Sequence, residues 1–426
     1  MTAVTIGPTG ALRIDGKDVF PIGFSNPPPL GVNAPSGKDP LQELKEGGAS
    51  FIRTGRGDWT LDSIAAQIAA EKKLEDAAAA HGLYCWLWLG DAPNLPTTPG
   101  STNEQLLGKI TDAFKAHPGL GAYKGFDEPR NPFRGDNWIR PAGLERAKTK
   151  LARLDPDHPV VIIQAPPSPL ADLVPYQGTF DVTGADIFPV SYPPGAHMAL
   201  PNGFSGTNRD ISLVGDVTKK MVGAAGGAPV WTTLQIAWTG TITTKTRPSV
   251  VPRFPSLFEE RFMAYQAIVN GARGLMFFGG HLTHNLRPKD AQAGWNWRFW
   301  QLVLQPLLIE LTSTAVGPIL VALDATATVT ASASDVELVA RQDSQFFYLI
   351  AVRRGGSTSQ VTFSGLPPKD DGSPITDAQV LFEYVQDPLP PPLGAGQHVF
   401  RSVSVANGGF RDWFGPHDVH VYRFGL

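Results

Sequence analysis

The sequence predicts an α/β protein, a closed (β/α)8 barrel of the TIM type followed by a small antiparallel β-sandwich. Three observations lead there. Eight apolar, strand-like segments alternate with helical segments over the first three quarters of the chain. No Gly-rich phosphate turn opens a helix, whereas an open doubly wound sheet usually has one near its start. After about residue 316 the helical period stops, and short alternating strands take over between Gly, Pro and Ser clusters.

The expected barrel strands are 19–25, 50–54, 83–89, 121–126, 160–164, 181–188, 230–236 and 274–279, preceded by a hairpin strand at 11–16. Between them, 61–81 is rich in Ala, Glu and Lys and is closed by Gly82 as a C-cap. Further helices are expected at 103–116, 141–154, 258–270 and 297–311. The second unit is expected to have strands at 326–331, 336–341, 346–353, 360–363, 379–384 and 419–424, with the 388–392 proline run as a stiff loop. The division is accordingly a barrel at 1–315 and a sandwich at 316–426.

Hydrophobic residues at 42% against 18% charged ones place the chain among folded proteins with a sizeable core. A net charge of −3 without any dense Lys/Arg run gives no phosphate-neutralising surface, so no nucleic-acid partner is expected. No apolar run is long enough to cross a bilayer, so no membrane partner is expected either. The lone Cys85 excludes an internal disulfide and a thiolate metal cluster, and its apolar strand makes it a small buried hydrophobe. The chain starts with no basic segment and no apolar signal core, which leaves secretion and a cytoplasmic location both open.

In such a barrel the chemistry gathers where the strands end. There the second strand offers Arg53, the third Trp86 and Trp88 and then Asp91, and the fourth Asp127-Glu128-Pro129. The sixth offers Asp186 and then Tyr192, the seventh Gln235 and then Trp238, the eighth Gly279-Gly280-His281. Adjacent carboxylates pinned by a proline repel each other, which raises one pKa and favours a carboxyl still protonated near neutrality. A general acid for a leaving sugar oxygen needs such a group. By itself Asp-Glu-Pro is also the spelling of a turn or helix N-cap; its position at the close of the fourth strand is what favours chemistry.

The segment 120–129, with Asp127, Glu128 and Pro129 at its end, resembles the strand-four motif of clan A glycoside hydrolases, where Asn-Glu-Pro supplies the acid/base glutamate. Arg53 falls where that clan keeps a strand-two arginine. Residues 260–267 and 271–275 are similar to the helix-seven to strand-eight passage of many barrel glycosidases, and the tail 419–424 to their accessory domain. The resemblance implies a carbohydrate substrate, no cofactor and no metal, with Glu128 as proton donor. Two departures stand out: Asp127 replaces Asn, and the seventh strand, 229–236, has no carboxylate where the nucleophile belongs.

Three repairs remain open. Asp127 could orient an N-acetyl group as internal nucleophile while Glu128 protonates the leaving oxygen. Asp186 could act as general base for water, with inversion. Asp58 or Asp91 could be a nucleophile from another loop. A barrel that binds carbohydrate without cleaving it is the rival, since a lost nucleophile is what a decayed enzyme would present. Arg53 is expected to bind a hydroxyl or hold the acidic pair, with an ordinary ion pair as the bland alternative. Tyr192, Gln235 and His281 are expected to bind hydroxyls. Trp86, Trp88, Trp231, Trp238, Trp295 and Trp297 offer flat faces for sugar rings or are simply core, with Trp238 the best placed. His281 and His284 have metal-like spacing but no evident third ligand.

Overall fold

The computed structural model describes residues 3–190, 210–237, 253–282, 287–384 and 400–426. Strands β1 (Val4–Ile6), β2 (Leu12–Ile14) and β3 (Lys17–Val19) make a small antiparallel sheet. The barrel strands follow as β4 (Ile22–Phe24), β5 (Phe51–Gly55), β6 (Tyr84–Trp88), β7 (Leu120–Lys124), β8 (Val160–Gln164), β9 (Val182–Asp186), β10 (Val230–Gln235) and β11 (Ala272–Phe278). All eight pair in parallel in chain order and close, β11 pairing with β4. Helices α1 (Pro40–Glu46), α2 (Ile64–Ala80), α3 (Thr102–Phe114), α4 (Pro141–Leu154), α5 (Leu170–Leu173), α6 (Leu213–Ala224) and α7 (Leu257–Val269) connect them one by one.

The local sequence explains the boundaries. Asp39 and Ser101 accept backbone N–H groups at the starts of α1 and α3, and Ser256 with Glu259 forms a full capping box on α7. Expected helix 297–311 is instead three pieces, with a π-helical turn at Trp300–Leu304 between Trp297–Phe299 and Gln305–Thr312. The widened turn lies just ahead of Pro306, which has no N–H to continue the ordinary ladder.

Alternate strand residues fill the barrel, and its lower interior is aromatic. Phe51, Trp86 and Trp231 pack there with Val161, Ile163 and Met276, the two indoles stacked at 5.9 Å. Gly184 makes room for them, since a Cβ at this position would lie 1.8 Å from the Trp231 carbonyl oxygen. Val4, Leu12 and Ile14 of the small sheet join the same cluster and cap it from below.

Strands β12 (Leu323–Asp324), β13 (Thr330–Ala331), β14 (Val336–Gln342), β15 (Phe346–Arg353), β16 (Ser359–Ser364), β17 (Asp377–Tyr384), β18 (Phe400–Ala406), β19 (Gly409–Phe414) and β20 (Val419–Gly425) form the second unit. They make one curled antiparallel sheet ordered β12-β14-β15-β20-β17-β18-β19-β16-β13, folded over Phe347, Phe363, Phe410, Phe414 and Phe424. The hairpin β18–β19, absent from the sequence expectation, turns on Asn407-Gly408, both at positive φ as a two-residue hairpin turn demands. The 388–392 run lies outside the described residues. The sheet is tied to the barrel's helices: Arg354 grips Asp216 of α6 at 2.7 and 2.8 Å. Glu337 accepts from Lys219, Gln266 and Asn270 of α6 and the α7 region.

Candidate active site

Above the aromatic floor the interior becomes charged. Lys124 continues the inward register of Ala122, and its buried ammonium lies 2.6 Å from Asp127, with ring centroids of Trp86 and Trp88 at 5.6 and 5.0 Å. Arg53 of β5 stacks on the other indole contact, its guanidinium carbon 4.9 Å from the Trp88 centroid. Trp88 can sit so close to β5 because Gly55, at φ +76°, has no Cβ; one would fall 2.3 Å from the Trp88 carbonyl oxygen.

Beyond Lys124 the chain reaches the mouth. The Glu128 N–H donates to Ile163 O of β8 at 2.9 Å, and the residue adopts φ +45°. A left-handed backbone at a glutamate costs on the order of 1 kcal/mol and persists only where the surroundings enforce it, which recurs at functional sites. Asn131 Nδ2 donates to Glu128 Oε2 at 2.6 Å, fixing one side of the carboxyl. Asp186 closes β9, opposite Thr233 of β10 in the sheet register.

Burial pushes the Glu128 carboxyl up to about 7, reinforced first by Asp186 and then by Asp127 and countered by the Asn131 bond and Lys124. Burial also pushes Asp186 up to about 6, with Asp127 adding to the rise and Lys124, the Thr233 hydroxyl and Arg53 opposing it. The two titrate as a pair, and near neutrality the pair holds about one proton. Burial lowers the pKa of Arg53, while Asp127, Asp186 and Glu71 act the other way. One partly protonated carboxyl pair, flanked by a neutralised Lys–Asp couple and a guanidinium, can donate a proton to one atom and take one from another.

The far side of the mouth is aromatic. Phe188, just past β9, stacks on Phe278 of β11 at 5.2 Å, and His281 meets Phe278 edge-on at 5.7 Å. Thus Glu128, Asp127, Asp186, Arg53 and Trp88 converge, with the half-buried Phe188 and Phe278 and the exposed His281 beyond them. Other expected residues lie elsewhere. Gln235 is fully buried, and its amide both donates to Val190 O and accepts from Val190 N at 2.7 Å, so it holds the chain after β9 instead of presenting a face to a sugar. Asp91 is exposed in the turn after β6, and Asp58 is exposed and paired with Arg56 at 2.7 Å. Trp86, Trp231, Trp295 and Trp297 are at most 2% exposed and serve as core. Tyr192, Trp238 and His284 lie outside the described residues. Among the described residues no three His, Cys, Asp or Glu side chains gather as a metal-binding set.

Sequence reasoning missed Lys124, Asn131, Thr233, Phe188 and Phe278. Period-two alternation was the available signal for four of them: Lys124 follows Ala122 inward, Thr233 follows Trp231, Phe188 follows Asp186, and Phe278 follows Met276. Asn131 lies in the loop, where no period applies.

The barrel with its C-terminal antiparallel sheet is a fold that glycoside hydrolases share. A solved structure described as a glycoside hydrolase superposes with a TM-score of 0.58 at 11% identity, over 99% of this chain and 96% of that one. A family 5 glycoside hydrolase from Bacteroides vulgatus gives 0.58 at 11% identity, over 99% and 92%. The α-amylase of Geobacillus thermoleovorans, solved with acarbose, gives 0.53 at 12%, over 96% and 99%. No family model and no curated protein sequence matches the chain.

Proposed function

We propose that the chain is a glycoside hydrolase in which Glu128 protonates the glycosidic oxygen and Asp186 is the second catalytic group. The observation that carries this is the Glu128 carboxyl, raised to about 7 by burial and by Asp186, at the C-terminal end of a barrel strand. Asp186, being the lower of the pair, is the ionised member that draws a proton from water, and inversion is the expected outcome. Asp127 is less suited to orienting an acetamide, because its carboxylate is already engaged by Lys124. Arg53 and His281 would bind hydroxyls, Trp88 and the Phe188–Phe278 pair would carry the apolar faces of sugar rings, and Tyr192 and Trp238, which follow β9 and β10 in sequence, remain proposed contacts.

One observation favours a binding barrel without turnover: β10 turns Thr233 and Gln235 inward and has no carboxylate. Reducing-end release from a panel of glycans distinguishes the two. Release by the wild type that is abolished in Glu128→Gln supports hydrolysis. Glycan binding with no release by the wild type overturns it.

A further inference from the structure

The Lys124–Asp127 couple has no place in proton transfer itself, yet it joins a deeply buried lysine to a carboxylate that is 37% exposed at the mouth. Its lysine is 5% exposed, and its ammonium lies between two indole faces and against one carboxylate. We infer that Lys124 is a positioning residue: by pairing with Asp127 it holds that carboxylate as a fixed anion, so that the transferable proton resides on Glu128 and Asp186. The inference rests on the proposed roles of those two groups and assigns the regulation of the same site.

Several charges crowd together at the barrel mouth. The groups facing Lys124 are Asp127 and Glu128 from the loop after β7, Asp186 from β9 and Arg53 from β5; the indoles of β6 are neutral. Three neighbouring carboxyls resist ionising together, and without a cation one proton would be shared among three sites in several arrangements. An ammonium at 2.6 Å removes Asp127 from that competition. Two indole faces hold the ammonium where a flexible lysine would otherwise wander, since cation–π attraction strengthens when the cation is desolvated. The acid and base are thereby two defined residues. Lys124 also opposes the rise of both pKa values while Asp127, the larger influence at each, promotes it, so the two partners offset one another in part.

A double-mutant cycle tests this. Lys124→Met keeps a linear apolar stem between the indoles but removes the charge; both limbs of the pH–kcat/KM profile should move upward by about one unit. Asp127→Asn should move both limbs downward by a comparable amount. Lys124→Met/Asp127→Asn, which removes the couple as a neutral whole, should return the limbs to within a few tenths of a unit of wild type. A double variant whose limbs stay where the single Lys124 variant put them, or singles that lower kcat without moving either limb, would overturn the assignment. Carboxyl carbon NMR titration of Glu128 and Asp186 in the four proteins reads the same shifts without any substrate. If the titrations shift as stated but no glycan is cleaved, the function is wrong and the electrostatic assignment stands. If glycans are cleaved and the titrations do not shift, the reverse holds.

Discussion

Two carboxylate clusters in this molecule use nearly the same residue types to opposite ends. In the C-terminal sheet, Asp412 accepts hydrogen bonds from the two terminal guanidinium nitrogens of Arg401 at 2.9 and 2.8 Å, from the Tyr422 hydroxyl at 2.8 Å and from the His420 ring at 3.0 Å. Those partners outweigh burial and hold its carboxyl well below the usual range. At the barrel mouth, Glu128 has one short bond, from Asn131, and faces Asp186, so its carboxyl rises instead. A carboxylate supplied with donors on every side is a fastener. One left short of donors and next to another acid keeps its proton ready to move.

The largest effect should come from breaking the second arrangement. Glu128→Gln is expected to lower kcat/KM by about a thousandfold or more on a cleaved glycan, with the thermal midpoint unchanged or slightly raised, as parallel kinetics and calorimetry would reveal. Asp412→Asn should do the converse. It leaves Arg401 with Glu383 as its remaining carboxylate partner and costs about 2–4 kcal/mol by denaturant unfolding, while turnover per folded molecule stays within twofold. Its pH signature follows from the depressed pKa: the stabilisation is present above the ordinary value of 3.8 and is lost as pH falls through the lower folded value.

The mouth pair predicts a narrow bell for kcat/KM, rising as Asp186 ionises near 6 and falling as Glu128 ionises near 7. A plateau from pH 4 to 9 would mean that these two do not exchange protons with substrate. Phe188→Ala should raise KM by about tenfold with kcat nearly constant, in line with the loss of one aromatic platform.

A third acid separates burial from function. Glu75, fully buried behind β5, is pushed up to about 8 by burial, with the Thr54 hydroxyl donating to it at 2.9 Å; His117 Nδ1, which accepts from Gly119 N–H, lies 3.4 Å away. In this case the folded pKa exceeds the ordinary 4.5, so stability is complete at low pH and declines as pH rises from 4.5 toward 8. Glu75→Gln, whose amide can replace the neutral acid, should flatten that decline, a gain of about 1–2 kcal/mol at pH 8 in chemical unfolding and none at pH 4.

Much of the fold was legible because strand period and helix caps are local. Segment 160–164 coincides with β8 and 141–154 with α4 to the residue. The β18–β19 hairpin was written in Asn407-Gly408 but its strands, with Arg401, Arg411 and the 60% exposed Trp413, lack a clean apolar run. At the mouth, Asp127, Glu128, Asp186 and Arg53 could be nominated because each lies near or just past the C-terminal end of a strand. What sequence could not supply was the direction of each side chain and its partners. Gln235 and Asp186 both end strands, yet one clasps the Val190 backbone and the other faces Glu128 across the mouth. Likewise the charge added by Asp127, where the resembling motif has a neutral Asn, is balanced by a lysine three positions earlier.

The small sheet of β1–β3 has a consequence for traffic. With Val4, Leu12 and Ile14 seated under the stacked indoles, the tube is corked at one end. Any molecule that reaches Glu128 must therefore come and go on the mouth side, and under the proposed hydrolysis a spent fragment still lodged there would block the next arrival. Slow departure would then surface as inhibition by the end products, strongest for the fragment held deepest.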